Sequence, residues 1–213
     1  MIKGADNLKS IFSSNIEIDK TAILNWRTKR HEPIYNMIVL AEGYMSSALI
    51  LCEQLLKDKQ DKRDSVIFPI LFNLNHGIEL YLKSIIWSLN LLNKNTNKEK
   101  LNNHNIMAYF KTAKSLAITY ENTEEKVKTI NELFGQLESY LNELESYIVE
   151  NSGKTRIDFP RYVLDYKNEL PQFYILSSKN VSIDIKNLLE RFIVIDTNLN
   201  RLAEHYYYEY SEQ

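Results

Sequence analysis

Three ionisable residues, His76, Glu79 and Lys83, stand at i, i+3 and i+7 in a stretch otherwise dominated by Phe, Leu, Ile and Tyr. On a helix, where successive residues turn by about 100°, the three span only about 60° of the circumference and share one strip. A histidine can move a proton, a cationic side chain can stabilise charge building on a phosphate, and a carboxylate can orient either. Because their neighbours are apolar, the strip is expected to lie partly buried, where an ionised pair is costly unless its members meet. Two outcomes stand open: an internal ion pair that sets helix register, or a site. A second set, Arg201 and His205, has i, i+4 spacing near the C-terminus and shares a helix face with Asn198. Arg27 and His31 repeat that spacing, so it also arises by chance.

Other chemistries lose ground on residue type. One His and one Glu at i, i+3, with no second Glu-x-x-His, do not make a helical di-metal site, so no metal is expected. A Gly-rich phosphate loop, a nucleophile elbow and a His-Glu-x-x-His helix are all missing, and no cofactor is implied.

The elements that must carry these residues read as helices. Ile34, Ile38, Ala41, Met45, Ala48, Cys52 and Leu55 recur in steps of four and three, predicting one helix from Pro33 with a single buried seam. A second helix, from about Val66 to Leu92, has Ser65 as its cap and Pro69 in its first turn; it is apolar on nearly every side and must be central. A third is expected from His104 to Tyr120. A fourth follows Thr123, with Val127, Ile130, Phe134, Leu137, Leu141, Leu144 and Ile148 as its seam, and stops at Gly153. The last opens at Ser182 or Asp184 and buries Ile185, Leu188, Phe192, Ile195, Leu199, Leu202 and Tyr206. A short helix is predicted over Thr21 to Arg30, a solvent loop over Asn93 to Asn103, and a small hairpin or ordered loop over Ile157 to Leu176. In the run Tyr206 to Tyr210, Tyr206 and Tyr210 are expected to continue the buried seam, leaving Tyr207 and Tyr208 for stacking or a dimer contact.

Five glycines and four prolines in 213 residues are few turn-makers, which favours long helices over many short strands. The expected fold is all-α, an antiparallel helical bundle forming one domain over residues 1–213. Residues 1–31 make an N-terminal extension and residues 150–181 a loop or hairpin insertion before the last helix. A formal net charge of −2 excludes coating nucleic acid through bulk positive charge, so any RNA contact must be local. The lone Cys52 and a start without a secretory apolar core imply a cytoplasmic protein, and the lack of a long uninterrupted apolar run implies no membrane insertion.

The segment Phe72-Asn73-Leu74-Asn75-His76-Gly77-Ile78-Glu79-Leu80-Tyr81-Leu82-Lys83 resembles a helix of HEPN-like bacterial proteins that reads His-(small)-x-Glu-Leu-x-Leu-Lys. Two further landmarks follow in that family's order: His104-Asn105-Ile106 at a helix start, and Phe159-Pro160-Arg161-Tyr162-Val163-Leu164-Asp165. The resemblance covers about residues 33 to 205 and implies a helical bundle, frequent homodimers, and a bacterial toxin–antitoxin or antiphage system acting on RNA. RNA, a second copy and a cognate antitoxin or defence-system protein are the implied partners. Two departures are visible: Asn75 stands where many relatives place Arg, and the Arg201 to His205 spacing is shorter than the family's nuclease motif. The implied activity is metal-independent RNA cleavage, by His205 with Arg201 or by His76, Lys83, His104 and Arg161 with Glu79 orienting. The rival is a noncatalytic module in which the strip stabilises the bundle and the seams support dimerisation or partner docking.

Overall fold

A computed structural model describes residues 9–57, 61–94, 101, 104–152, 159–164 and 171–212. Six α-helices carry the described fold: α1 Pro33–Lys57, α2 Arg63–Leu92, α3 Ile106–Glu121, α4 Glu124–Ser152, α5 Phe173–Leu176 and α6 Ile185–Ser211. Among the described residues there is no β-strand.

The apolar seams explain the packing. All seven residues of the α1 seam are buried, and those of α4 and α6 are buried or half-buried. α2 has buried residues along most of its length and packs against α1, α3 and α6, as a helix apolar on nearly every side must. The direction of the helices follows from their partners. Asn73 donates to Ser47 Oγ at 3.0 Å while Gly77 sits against Met45 and Ala41, so α1 and α2 run antiparallel. Arg191 pairs with Glu143 and Asn198 with the Leu133 carbonyl, which makes α4 and α6 antiparallel as well. α1 is long and apolar enough to cross a membrane, but its seam is consumed in the bundle core.

Helix ends follow local chemistry. Asn105 Oδ1 accepts from the Ala108 amide and Asp184 Oδ1 from the Asn187 amide, both at 3.0 Å, satisfying amides that have no intrahelical partner. Asn122 closes α3 at φ 43°, a left-handed conformation Asn tolerates better than most residues.

Several expectations are corrected. Residues 21–30 form turns and bends rather than a helix, with Leu24 and Trp26 exposed, because their apolar residues find no core surface to cover. The chain is tied down only afterwards, where Asn36 exchanges two 2.7 Å hydrogen bonds with the Lys29 backbone and Tyr207 donates to Glu32. α2 starts at Arg63 rather than Val66, which puts Ser65 in its first turn and Pro69 inside the helix. The proline is exposed, so the Ser65 carbonyl it deprives of a donor is not sealed in the core. The insertion contains an antiparallel bridge between Leu164 and Pro171, with Gln172 bonded to the Val163 and Leu164 carbonyls, and then the unexpected single turn α5, whose Phe173 packs on Phe159 and Tyr147. Most of the expected 93–103 loop, Gly153 and Asp165 lie outside the described residues. Tyr206 is buried as expected, but its buried neighbour in this run is Tyr207, whose ring meets Tyr35 at a tilt 5.6 Å away, and Tyr210 is 39% exposed. The α6 seam therefore turns toward α1 at its C-terminal end.

Gly77 lets α1 and α2 approach: a Cβ there would lie 2.6 Å from Met45 Cγ, inside the fully buried core. Gly77→Ala is expected to destabilise by about 1–3 kcal/mol despite alanine's better helix propensity. Gly43→Ala, which meets nothing within 4 Å, should stabilise by about 0.5–1 kcal/mol. Urea denaturation of both variants checks the contrast.

Candidate functional site

Glu79 is the fixed point of the strip. Its side chain is deeply buried on α2, and its carboxylate accepts from Lys83 Nζ at 2.6 Å, one turn on, and from His104 Nδ1 at 3.0 and 3.2 Å. A carboxylate only accepts, so His104 donates from Nδ1, and its side chain is 60% exposed. Lys83 is largely buried and its ammonium also lies 5.2 Å from the Tyr109 ring centre on α3. The pair thus meets the condition for burying charge, and it fastens α2 to the residue preceding the α3 cap.

His76 lies one turn earlier, half-buried. Its ring meets Tyr44 of α1 edge-on at 4.4 Å and lies parallel to Phe72 at 5.8 Å. Burial pushes the imidazole below its ordinary value near 6.5; the nearby charges of Arg161, Lys83 and His104 act in the same direction, while Glu79 opposes them. His76 is therefore neutral near pH 7 and able to accept a proton. Arg161, from the insertion, lays its guanidinium 5.4 Å from the Phe72 ring centre and 5.3 Å from that of Tyr162.

These side chains surround a recess lined by Phe72, Asn75, His76, Glu79, His104 and Arg161, with Ile106 and Pro160 completing the wall. Its volume is about 30 Å³ and it opens to solvent. A larger groove of about 1120 Å³ lies beside it, and the insertion separates the two: Phe159 faces the groove, Pro160 and Arg161 the recess.

Of the seven residues singled out in the sequence, His76, Glu79, His104 and Arg161 line the recess, and Lys83 stands behind Glu79 as its anchor. Arg201 and His205 are placed elsewhere. Arg201 is exposed, and His205 Nε2 lies 3.2 Å from the buried carboxylate of Glu121, which also takes Lys126 Nζ at 2.7 Å. Burial opposes ionisation of Glu121, but these two partners outweigh it and hold the carboxyl below the usual range. His205 thus belongs to a network that closes α3, α4 and α6 together, and its i, i+4 partner Arg201 does not join it.

Two participants were missed. Asn75, 6% exposed, is on the recess wall, and Tyr140 of α4 donates to its Oδ1 at 2.8 Å. Asn75 stands i, i+4 from Glu79, a signal that was available; nothing in the sequence points to Tyr140, which comes from another helix. A separate pair, buried Tyr81 donating to half-buried Asp196 at 3.0 Å, joins α2 to α6, and burial raises the Asp196 carboxyl.

Among the described residues no group of three or more His, Cys, Asp or Glu is placed to hold a metal ion. No family model, no curated protein and no solved structure matches this chain.

Removing Glu79 leaves Lys83 buried and unpaired. Glu79→Ala is expected to cost about 3–5 kcal/mol, and Glu79→Ala with Lys83→Met clearly less than the sum of the singles, in a double-mutant denaturation cycle. A second expectation concerns pH. Folding lowers the proton affinity of His76, so the unfolded chain binds more protons just below pH 6.5. The contribution is complete above that value and is lost as pH falls through the depressed folded value. His76→Gln should therefore lose less stability than wild type between about pH 7.5 and about pH 5.5, read from urea midpoints.

Proposed function

We propose that this chain is an HEPN-like helical protein of a bacterial antiphage defence or toxin–antitoxin system, and that it engages RNA at the His76 recess. The observation that carries the reading is convergence: residues from α2, the start of α3 and the insertion, far apart in sequence, meet at one solvent-open recess. The same three segments carry the sequence landmarks of the HEPN resemblance. Their chemistry suits RNA strand cleavage without a metal. A neutral His76 can take the proton of a 2′-hydroxyl as its oxygen attacks phosphorus, the P–O5′ bond breaks and the leaving 5′-oxygen takes a proton from water, and Arg161 can stabilise charge developing on the phosphate. Glu79 and Lys83 do not act on substrate in this scheme; they hold His104 and the α2 wall in place.

A second reading is favoured by one specific fact, the saturation of Glu79 by Lys83 and His104. In that reading the network only stabilises a noncatalytic module that dimerises or docks a cognate partner. α1 offers a surface for it, with Leu40, Ile50 and Leu56 exposed.

Labelled single-stranded RNA incubated with purified protein in EDTA separates the two. Cleavage by wild type should fall at least about 100-fold in His76→Ala and Arg161→Ala, the usual scale for losing an acid–base or charge-stabilising group, and persist in Arg201→Ala and His205→Ala. Loss confined to the last two variants would move the site to α6. Absence of both cleavage and binding in every form, with all variants folded, would leave the module reading.

A further inference from the structure

RNA cleavage by His76 takes one proton off the attacking 2′-oxygen and supplies none to the departing 5′-oxygen, which leaves poorly as an alkoxide. In-line displacement sets the attacking and leaving oxygens on opposite sides of phosphorus, so one imidazole does not serve both in a single step. A second acid–base group is called for, and the recess has one. His104 lines it together with His76 and Arg161. A space of about 30 Å³, two to three times the roughly 10–15 Å³ that one water requires, keeps its lining side chains close to one another, and His76 feels the charge of both His104 and Arg161.

The two imidazoles have contrasting surroundings. His76 is half-buried between the rings of Tyr44 and Phe72 and is neutral near pH 7, the form a base requires. His104 is exposed and donates from Nδ1 to the buried Glu79 carboxylate. That bond is kept whether or not the ring carries a second proton, and it leaves Nε2 as the nitrogen that can exchange one with a substrate. A carboxylate behind an imidazole also fixes the orientation of the ring. Positive charge on His104 disfavours protonation of His76, so the state in which His104 carries the extra proton is also the one in which His76 is free to accept one.

We propose that His104 is the general acid of this site: on the RNA reading, on which this inference rests, its Nε2 protonates the departing 5′-oxygen in place of water. The 2′-oxygen gives its proton to His76 and bonds to phosphorus, the P–O5′ bond breaks, and the 5′-oxygen takes the Nε2 proton of His104. The products are a 2′,3′-cyclic phosphate and a free 5′-hydroxyl. His76 is left charged and His104 neutral, and exchange with solvent moves one proton off the first and onto the second. Glu79, one hydrogen bond behind His104, positions it and does not touch the substrate.

Sulfur in the leaving position tests the assignment, because a thiol ionises at about 8.5 and its thiolate departs without the proton an alkoxide requires. Two labelled oligoribonucleotides are compared in EDTA, one all-oxygen and one with sulfur replacing the 5′-oxygen of a bond that wild type cleaves. Rates are measured for wild type, His104→Asn and His76→Ala. The asparagine amide can still donate to Glu79 but puts nothing in the place of Nε2, and the sulfur-to-oxygen rate ratio within each variant cancels any loss of folded protein. His104→Asn should cleave the oxygen substrate at least about 100-fold more slowly than wild type, the usual scale for losing an acid–base group, and the sulfur substrate at the wild-type rate. His76→Ala should be slow on both. An unchanged ratio in His104→Asn, with both substrates slowed or neither, overturns the acid role and leaves the RNA reading standing. Wild type that cleaves no bond, while folded by thermal melt, overturns the RNA reading and the acid role with it.

Discussion

The buried carboxylate of Glu79 is the constraint around which the site is organised. A charge placed in an apolar helix must be met by fixed partners, because leaving it alone in a low-dielectric interior costs more than a single domain can spare. Lys83 meets it from the same helix and His104 from the segment ahead of α3. The local pair could form in any isolated helix with this spacing. The long-range contact could not, and it ties the entry to α3 onto the middle of α2. One wall of the recess is set by that tie, and the insertion supplies the other through Arg161.

The core has a division of labour that follows from the same logic. α2 is surrounded by α1, α3 and α6, so any polar group it carries is either buried or at an opening between neighbours. Each of its buried polar side chains with a long-range contact therefore reports a specific junction. Tyr81 reaches Asp196 on α6, Asn75 receives Tyr140 from α4, and Glu79 receives His104. Apolar burial supplies most of the stabilisation but is non-directional; these hydrogen bonds are directional, and they define which faces meet. The Glu121 network with Lys126 and His205 does the same at the end of α3.

Much of the architecture was legible in the residue order. The seams of α1, α4 and α6 were identified residue by residue because a helix that buries one stripe must repeat every three or four positions. The polar strip on α2 was legible for the converse reason, that ionisable residues among apolar ones stand out. What misled were residues whose fate depends on a partner. Ile23, Leu24 and Trp26 suggested a helix with a buried side, yet amphipathic character yields a helix only where there is a surface to cover. Arg201 and His205 had a spacing that resembled a site, but spacing along one helix says nothing about what faces it, and Glu121 faced His205.

By itself the sequence determined the helical class, the order and seams of the long helices, and the presence of a charged strip that had to be compensated. These are local properties, set by periodicity and by the energetic penalty of burying charge. Only the tertiary structure decided that His104 and Arg161 reach that strip while His205 does not, that Lys83 anchors Glu79 instead of facing solvent, and that Tyr140 leaves half of the Asn75 amide unpartnered beside an opening. Apart from the Lys83–Glu79 pair, which lies one turn apart on α2, each of those facts joins residues dozens of positions apart. Their meeting is settled by how the seams pack against one another, and no repeat within a single helix encodes it.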